Sequence, residues 1–556
     1  MRASTAIAAG LGFALLQAGC KHDDPAPMTE PEPEQELLDP GEPCDPSAQP
    51  VDAEGGGTSG TDTGGTPPPV CAPGLACEPL ATGDGSVCGT AVAIEGKVTD
   101  ALTGVPIEGA LVTAHNEIGE PVTDVVATDS CGDYVLPLSL RRNPDGTVAS
   151  SDGATPKWTL RASAADHQAF PAGLRPALPI DLADAVPDPD ADAGGGSSSG
   201  GDGTGGDGDG PHYVRQIIDT AATHVALIPV TFAQAGVTLS GTVVGDATGG
   251  ALVVAEGDTT PAPYGVTDVS GHFTLFNVPP GAVTLRAYKG GLEVTPLPLM
   301  VGDADQAALE LQVATDDPTA LGRVDGNLNI VNAQGGLTTS VVLLPSSVFD
   351  PMLERGPVPL GLRDPPAPDT PDVSSAFEIT AVPAGTYKVL VAFENDQLVR
   401  DPDEGIAGTA ILEVTLQPGE AVSVPESFKV TEALAVLGPG AQEPEAVDAM
   451  PTLRWADDSS EDGYDVLVVD ALGDIAWMTE VPGQSGGDTV ELAYGGDPLV
   501  HGMAYQFRVT SWREQPSGRL SISRTEDLRG VFVYGEAPPP PACTPTADTD
   551  GGDSSG

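Results

Sequence analysis

The sequence predicts an all-β chain: tandem β-sandwiches joined by disordered linkers rich in Gly, Pro and Asp. Three observations predict it. Gly 70 and Pro 55 make up more than a fifth of the 556 residues, while aromatics are only 4%; long helices tolerate neither Gly nor Pro well. Apolar residues alternate with period two through runs that stop at Gly and Asp, the pattern of strands and hairpins. One strand–turn–strand unit also recurs, first as "GKVTDALTGVPIEGALVTA" (96–114) with "ATDSCGDYVLPL" (127–138), then as "GTVVGDATGGALVVA" (241–255) with "VTDVSGHFTLFNVPPG" (266–281).

The first 20 residues, "MRASTAIAAGLGFALLQAGC", carry one early positive charge at Arg2, a short apolar core and small residues before Cys20. This is the layout of an export signal and is too short for a stable membrane span. The ending "LLQAGC" resembles the bacterial lipobox, which implies lipidation of Cys20 as the first residue of the mature chain; the alternative is an ordinary signal peptide with a chance Cys. Lys21 after that Cys implies, by analogy with enteric bacteria, the outer membrane. The expected location is the bacterial cell envelope. No later stretch approaches about 18 uninterrupted apolar residues.

Residues 21–70 are nearly free of aliphatic side chains and are expected to be a disordered tether. Fifty such residues would reach roughly 35–40 Å root-mean-square. A Cys-rich segment follows at 71–90. Apart from Cys20 there are six cysteines, Cys44, Cys71, Cys77, Cys88, Cys131 and Cys543. An even count in an exported chain points to disulfides, with about 15 possible pairings. Zinc is the weaker reading, because the C-x5-C-x10-C spacing lacks paired C-x2-C knuckles and has no nearby His.

The first sandwich is expected over 91–232, with a disordered insertion at 183–211 between its strands and "THVALIPVTF" as its closing strand. A second unit spans 237–314. Thr128-Asp129-x-x-Gly132-x-Tyr134 matches Thr267-Asp268-x-x-Gly271-x-Phe273 without a gap. A third, degraded unit spans 320–432, where Phe377 precedes Gly385 by the same interval as Phe273 precedes Gly281. A fourth, different unit spans 446–534 and a disordered tail spans 535–556.

The run Gly96, Val98, Asp100, Thr103, Gly104, Pro106, Ile107, Gly109, Ala110 and Val112, with Thr128 to Tyr134, resembles a carboxypeptidase regulatory-like domain. That resemblance implies a transthyretin-like sandwich, also grouped with carbohydrate-binding-like folds, for the first three units. The fourth is similar to a fibronectin type III domain: Trp455 lies on one strand, Tyr464 on the next, and Tyr505 six residues after Leu499 takes the place of the tyrosine corner.

Charge and motifs bound the function. Formal net charge is −58, from 81 acidic and 23 basic residues, which repels nucleic acid and anionic headgroups alike. None of the seven histidines (His22, His115, His167, His212, His224, His272, His501) has Glu three residues on, as zinc carboxypeptidase chemistry requires. Each reads as a surface or edge residue. Three G-x-S-x-G matches, at 196–200, 483–487 and 552–556, lack a strand-to-helix elbow. Asp100, Asp129 and Asp268 sit in turns, where they are expected to bond backbone. "DPDADA" and "GGDGDG" offer calcium only an unordered set of acids. Among the four tryptophans, Trp158, Trp455, Trp477 and Trp512, the candidates for exposed sugar platforms are Trp477 and Trp512.

The expectation is a non-enzymatic, lipid-anchored surface protein, needing no cofactor and no catalytic or metal residues. Its sandwiches would serve as structural or adhesive modules, with an envelope protein or polysaccharide as partner. The alternative is carbohydrate binding by one or more sandwiches.

Overall fold

Alternation with period two puts one row of side chains on each face of a strand, so a strand buried on one face needs a second sheet to cover it. The structure, a computed structural model, describes residues 36–48, 68–150, 155–189, 213–230, 236–331, 339–366, 375–393, 397–458, 460–484 and 487–535. Among these residues every regular element is a strand or a short 3-10 turn. The strands form paired sheets that enclose successive apolar cores.

In the first unit, Val92–Asp100 is the central strand of one sheet. It pairs antiparallel with Asp133–Pro137 and parallel with both Gln216–Ile218 and Val225–Leu227. Leu111–Asn116 and Lys157–Ser163 are central in the facing sheet. Ile94, Val98, Val112, Leu136, Leu160 and Leu227 fill the space between them. The second unit repeats the plan. Val237–Val244 lies between His272–Val278 and Gln306–Thr315, and faces a sheet containing Leu252–Glu256 and Gly281–Tyr288. The third does so with Gly322–Val331 against Thr339–Pro345 and Gly385–Phe393. In the fourth, a three-stranded sheet (Val436–Gly438, Thr452–Ala456, Thr489–Ala493) faces a six-stranded one centred on Gly463–Asp470 and Ala504–Gln515. Trp455, fully buried, meets Tyr464 edge-on at 5.5 Å. The Tyr505 hydroxyl accepts from the Val500 amide at 2.9 Å, tying the strand back to its own approach loop.

The repeated Thr-Asp motif has the same hydrogen bonding in both units. Thr128 Oγ1 accepts from Ala110 N at 2.9 Å and donates to Ile107 O at 2.5 Å. Thr267 Oγ1 accepts from Ala251 N at 2.8 Å and donates to Thr248 O at 2.6 Å. Asp129 Oδ1 receives the amides of Cys131 and Asp133, and Asp268 Oδ1 those of Ser270 and His272. Gly132 and Gly271 follow with φ of 73° and 82°, where a Cβ would be strained and would strike backbone or side chain. Tyr134 and Phe273 then enter their cores.

Two expectations drawn from composition need correction. Part of the supposed tether is built into the Cys-rich unit: Leu37–Leu38 pairs parallel with Val70–Cys71, and Pro43–Cys44 pairs with Ser86–Thr90. Disulfides Cys44–Cys77 and Cys71–Cys88 close this piece; they replace the apolar burial its composition lacks. The start of the supposed insertion is also structured. Val186–Pro187 pairs with Gln216–Ile218, and Asp188 contacts Arg215 Nε at 2.6 Å. The signal segment with Cys20, the rest of the tether, residues 190–211 and the tail with Cys543 lie outside the described residues.

Candidate functional site

The groups that sequence alone would nominate for chemistry are mostly engaged in the scaffold. Two clusters of described residues bring three ligand-type atoms together: Cys44, Cys71 and Cys88, and Asp129, Cys131 and Asp133. The first three sulfurs are in disulfides. Cys131 is also disulfide-bonded, and Asp129 is occupied by turn amides. A sulfur committed to a disulfide offers no thiolate to a metal.

Asp100 Oδ1 receives Leu102 N, Thr103 N and Thr103 Oγ1, while Oδ2 faces His167 Nε2 at 3.2 Å. His224 and His272 each lie beside an aspartate, and His501 packs on Tyr534. His115 departs from the expected surface position: it is 1% exposed, and Gly119 O meets Nδ1 at 2.9 Å. Burial, then the charge of Arg161, push its pKa down to about 3, so the ring is neutral. His22 and His212 lie outside the described residues.

Neither tryptophan proposed as a platform offers a bare face. Trp512 is buried, and the Arg519 guanidinium sits 3.9 Å from its ring centre. Trp477 is half-buried and meets Tyr494 edge-on at 5.1 Å, with Gly496 packed against its stem. Exposed apolar side chains on that strand are instead Ile475 and Met478.

What the sequence did not disclose is how the units meet. Between the first and second, Asn277 accepts from the Asp166 amide at 2.7 Å and donates to His167 O at 3.1 Å. Between the second and third, Tyr288 meets Tyr387 edge-on at 5.7 Å, and Glu256 Oε1 accepts from both Tyr288 and Ser347. Ala384 N donates to Glu293 and Ala262 N to Ser347 O, each at 2.7 Å. Between the third and fourth, Arg508 donates to Met352 O at 2.8 Å and Leu353 O at 2.7 Å. Glu354 there accepts from Arg400 and Arg524 together. The fourth returns to the first through Gln168 Nε2 on Ala471 O at 2.8 Å, and Ala101 and Ile228 belong to its core. Each unit therefore touches at least two others, the first and third also meeting where Leu174 and Leu353 share a buried cluster with Val469 and Val531, and the chain of contacts closes on itself.

Two clefts lie along these seams. One, of about 110 Å³ between the first two units, is walled by Leu111, Phe170, Val266 and Phe273, with Arg161 and Tyr264 in its lining. The other, of about 250 Å³ between the third and fourth, collects Arg355, Arg363, Arg400 and Arg524 around Glu354 and Asp527.

No family model matches the chain, and no curated protein matches it. Several solved structures do. The TIE protein of Bacillus anthracis is 11% identical, with 77% of this chain and 68% of that one covered and a TM-score of 0.13. A tetra-tandem repeat from the extending region of a large adhesion protein is 14% identical, with 81% and 100% covered and a TM-score of 0.12. Two B repeat units of the collagen-binding protein of Staphylococcus aureus are 11% identical, with 81% and 100% covered and a TM-score of 0.16. Superpositions this loose carry no argument about what the chain binds; the tandem sandwich fold rests on its own sheets and cores.

Proposed function

We propose that the chain is a non-enzymatic, lipid-anchored surface protein of the bacterial envelope, held at the outer membrane by Cys20, whose sandwiches act as one structural or adhesive body. The first three would be carboxypeptidase regulatory-like units within 91–232, 237–314 and 320–432, and the fourth a fibronectin type III-like unit within 446–534. The observation that carries this reading is the closed set of seams. Buried or half-buried polar groups such as Arg508, Glu354 and Asn277 are spent on holding sandwich to sandwich. Such contacts suit a rigid body displayed on an anchor better than a turnover site, which would need converging groups left unengaged.

The test is metabolic labelling with a palmitate analogue, together with protease shaving of intact cells. The native chain should incorporate label and be clipped from outside, and Cys20→Ser should abolish labelling and release the protein from the membrane fraction. An unlabelled native chain, or one shielded from protease on intact cells, would sink the proposal.

A further inference from the structure

In a chain with 81 acidic and 23 basic residues, a partly buried arginine without an acceptor is conspicuous. Arg161 is one: among the described residues it has neither a hydrogen-bond acceptor nor an ion-pair partner, and it lines the cleft between the first and second units. Its place follows from register. Arg161 pairs with Thr113 across two antiparallel strands, and Thr159 with His115, so the four share the outer face of the first unit's sheet. That face is covered by strand Tyr264–Val266 of the second unit.

The Tyr264 hydroxyl is near enough to feel the Arg161 charge, and it too has no hydrogen-bond partner among the described residues. The one carboxylate in the lining, Asp268, is engaged elsewhere. Its Oδ1 holds two turn amides, and its Oδ2 faces His272 Nδ1 at 3.4 Å. Leu111, Ala162, Phe170, Pro171, Val266 and Phe273 make most of the remaining wall apolar, with Thr113, Ser163, His272 and Thr274 as its polar members.

We infer that this cleft is a binding site for a small monocarboxylate, with the Arg161 fork and the Tyr264 hydroxyl on the carboxylate and the apolar wall around its body. A guanidinium matches a carboxylate through two parallel donors, and such charge-assisted pairs are the stronger hydrogen bonds. Size sets the class: a cavity of about 150 Å³ takes benzene, so about 110 Å³ admits a body of only a few carbons. Charge narrows it further. A polyanion would meet the repulsion of a −58 surface, whereas a single carboxylate inside the cleft is within a Debye length of Arg161, about 8 Å at physiological salt, and is screened from the rest. The same chemistry is carried by a free short-chain acid and by the C-terminal residue of a peptide. Binding at this seam does not depend on lipidation of Cys20.

The test is ligand-observed NMR and calorimetry on the full chain with isobutyrate and with a short peptide ending in valine, each beside its carboxamide. Saturable binding of at least one carboxylate, with its amide at least tenfold weaker, is expected. Saturation by isobutyrate alone assigns the free acid, and saturation by the peptide assigns a chain end. Arg161→Met should abolish the binding, and Tyr264→Phe should weaken it by roughly tenfold, the loss of one hydrogen bond to a charged group. Should Arg161→Met fail to fold, Tyr264→Phe and Arg161→Lys, which keeps the charge without the fork, decide instead. No saturation by either carboxylate up to about 20 mM, equal binding of the amides, or affinity unchanged in these variants would overturn the inference.

Discussion

Glu354→Gln is the perturbation that best tests the seam between the third and fourth units. Both Glu354 oxygens accept, from Arg400 at 3.2 and 3.0 Å and from Arg524 at 3.2 and 2.8 Å. Burial alone would raise this carboxyl's pKa, but the charges and hydrogen bonds of Arg524 and Arg400 outweigh it and hold the group at about 2, against the usual 4.5. That displacement corresponds to about 3 kcal/mol, in the range found when one member of a buried pair is removed. Because the side chain is 22% exposed and Gln keeps one acceptor, about 2 kcal/mol of destabilisation is expected at pH 7. The sign fixes the pH course. The folded pKa lies below the unfolded value, so this contribution is complete above about pH 4.5 and disappears as pH falls towards 2.

Since four units can melt separately, the readout should be local. Hydrogen exchange of the Gln397 amide, which donates to Glu526 across the same seam at 3.2 Å, reports opening there. Exchange should be roughly 30-fold faster in the variant at pH 7. After correction for intrinsic rates, the two proteins should converge as pH approaches 2. A difference below about threefold at pH 7, or one that persists unchanged in acid, would refute the reasoning.

Other consequences can be checked alongside. Asn277→Ala removes both polar contacts to Asp166 and His167, and places Ala at a φ of 62°; about 1–2 kcal/mol should be lost, seen as faster exchange of the Asp166 amide. Tyr505→Phe deletes the bond to Val500 N and should cost the fourth unit about 1 kcal/mol in thermal denaturation, with no shift if the bond is immaterial. Cys131 is disulfide-bonded, and with Cys44–Cys77 and Cys71–Cys88 closed the sequence leaves only Cys20 and Cys543. Lipidation of Cys20 requires Cys543, so a non-reducing peptide map should recover Cys131 joined to Cys543. A Cys131–Cys20 peptide would contradict the anchor.

Local features were legible in the sequence and distant ones were not. The Thr128 and Thr267 turns could be read because every partner lies within about 20 residues and the chemistry of Asp, Thr and Gly in turns is general. Tyr505 could be read for the same reason. Arg508 could not: its partners Met352 and Leu353 are 156 and 155 residues away, and on a strand it looks like any polar residue facing water. Arg161 and His115 alternate correctly for an outward face; the second unit's Tyr264 and Val266 close in beside Arg161, while His115 is held by its own turn at Gly119 and Pro121. The tether was misread at 36–48 because composition measures apolar burial and takes no account of cross-links. Trp512 was misjudged because the residue that covers it, Arg519, arrives from the neighbouring strand Gly518–Arg524.

The closed circuit of unit contacts has a mechanical consequence. In a row of beads, a pull on one end is transmitted through each joint in turn, and the weakest joint sets the limit. In a circuit, parting any one joint leaves its two units connected the long way round, so their faces stay at high effective concentration and re-engage without a diffusive search. Single joints can then be individually weak, and one of them can open briefly to let a ligand in or out, while the assembly as a whole keeps its shape under load.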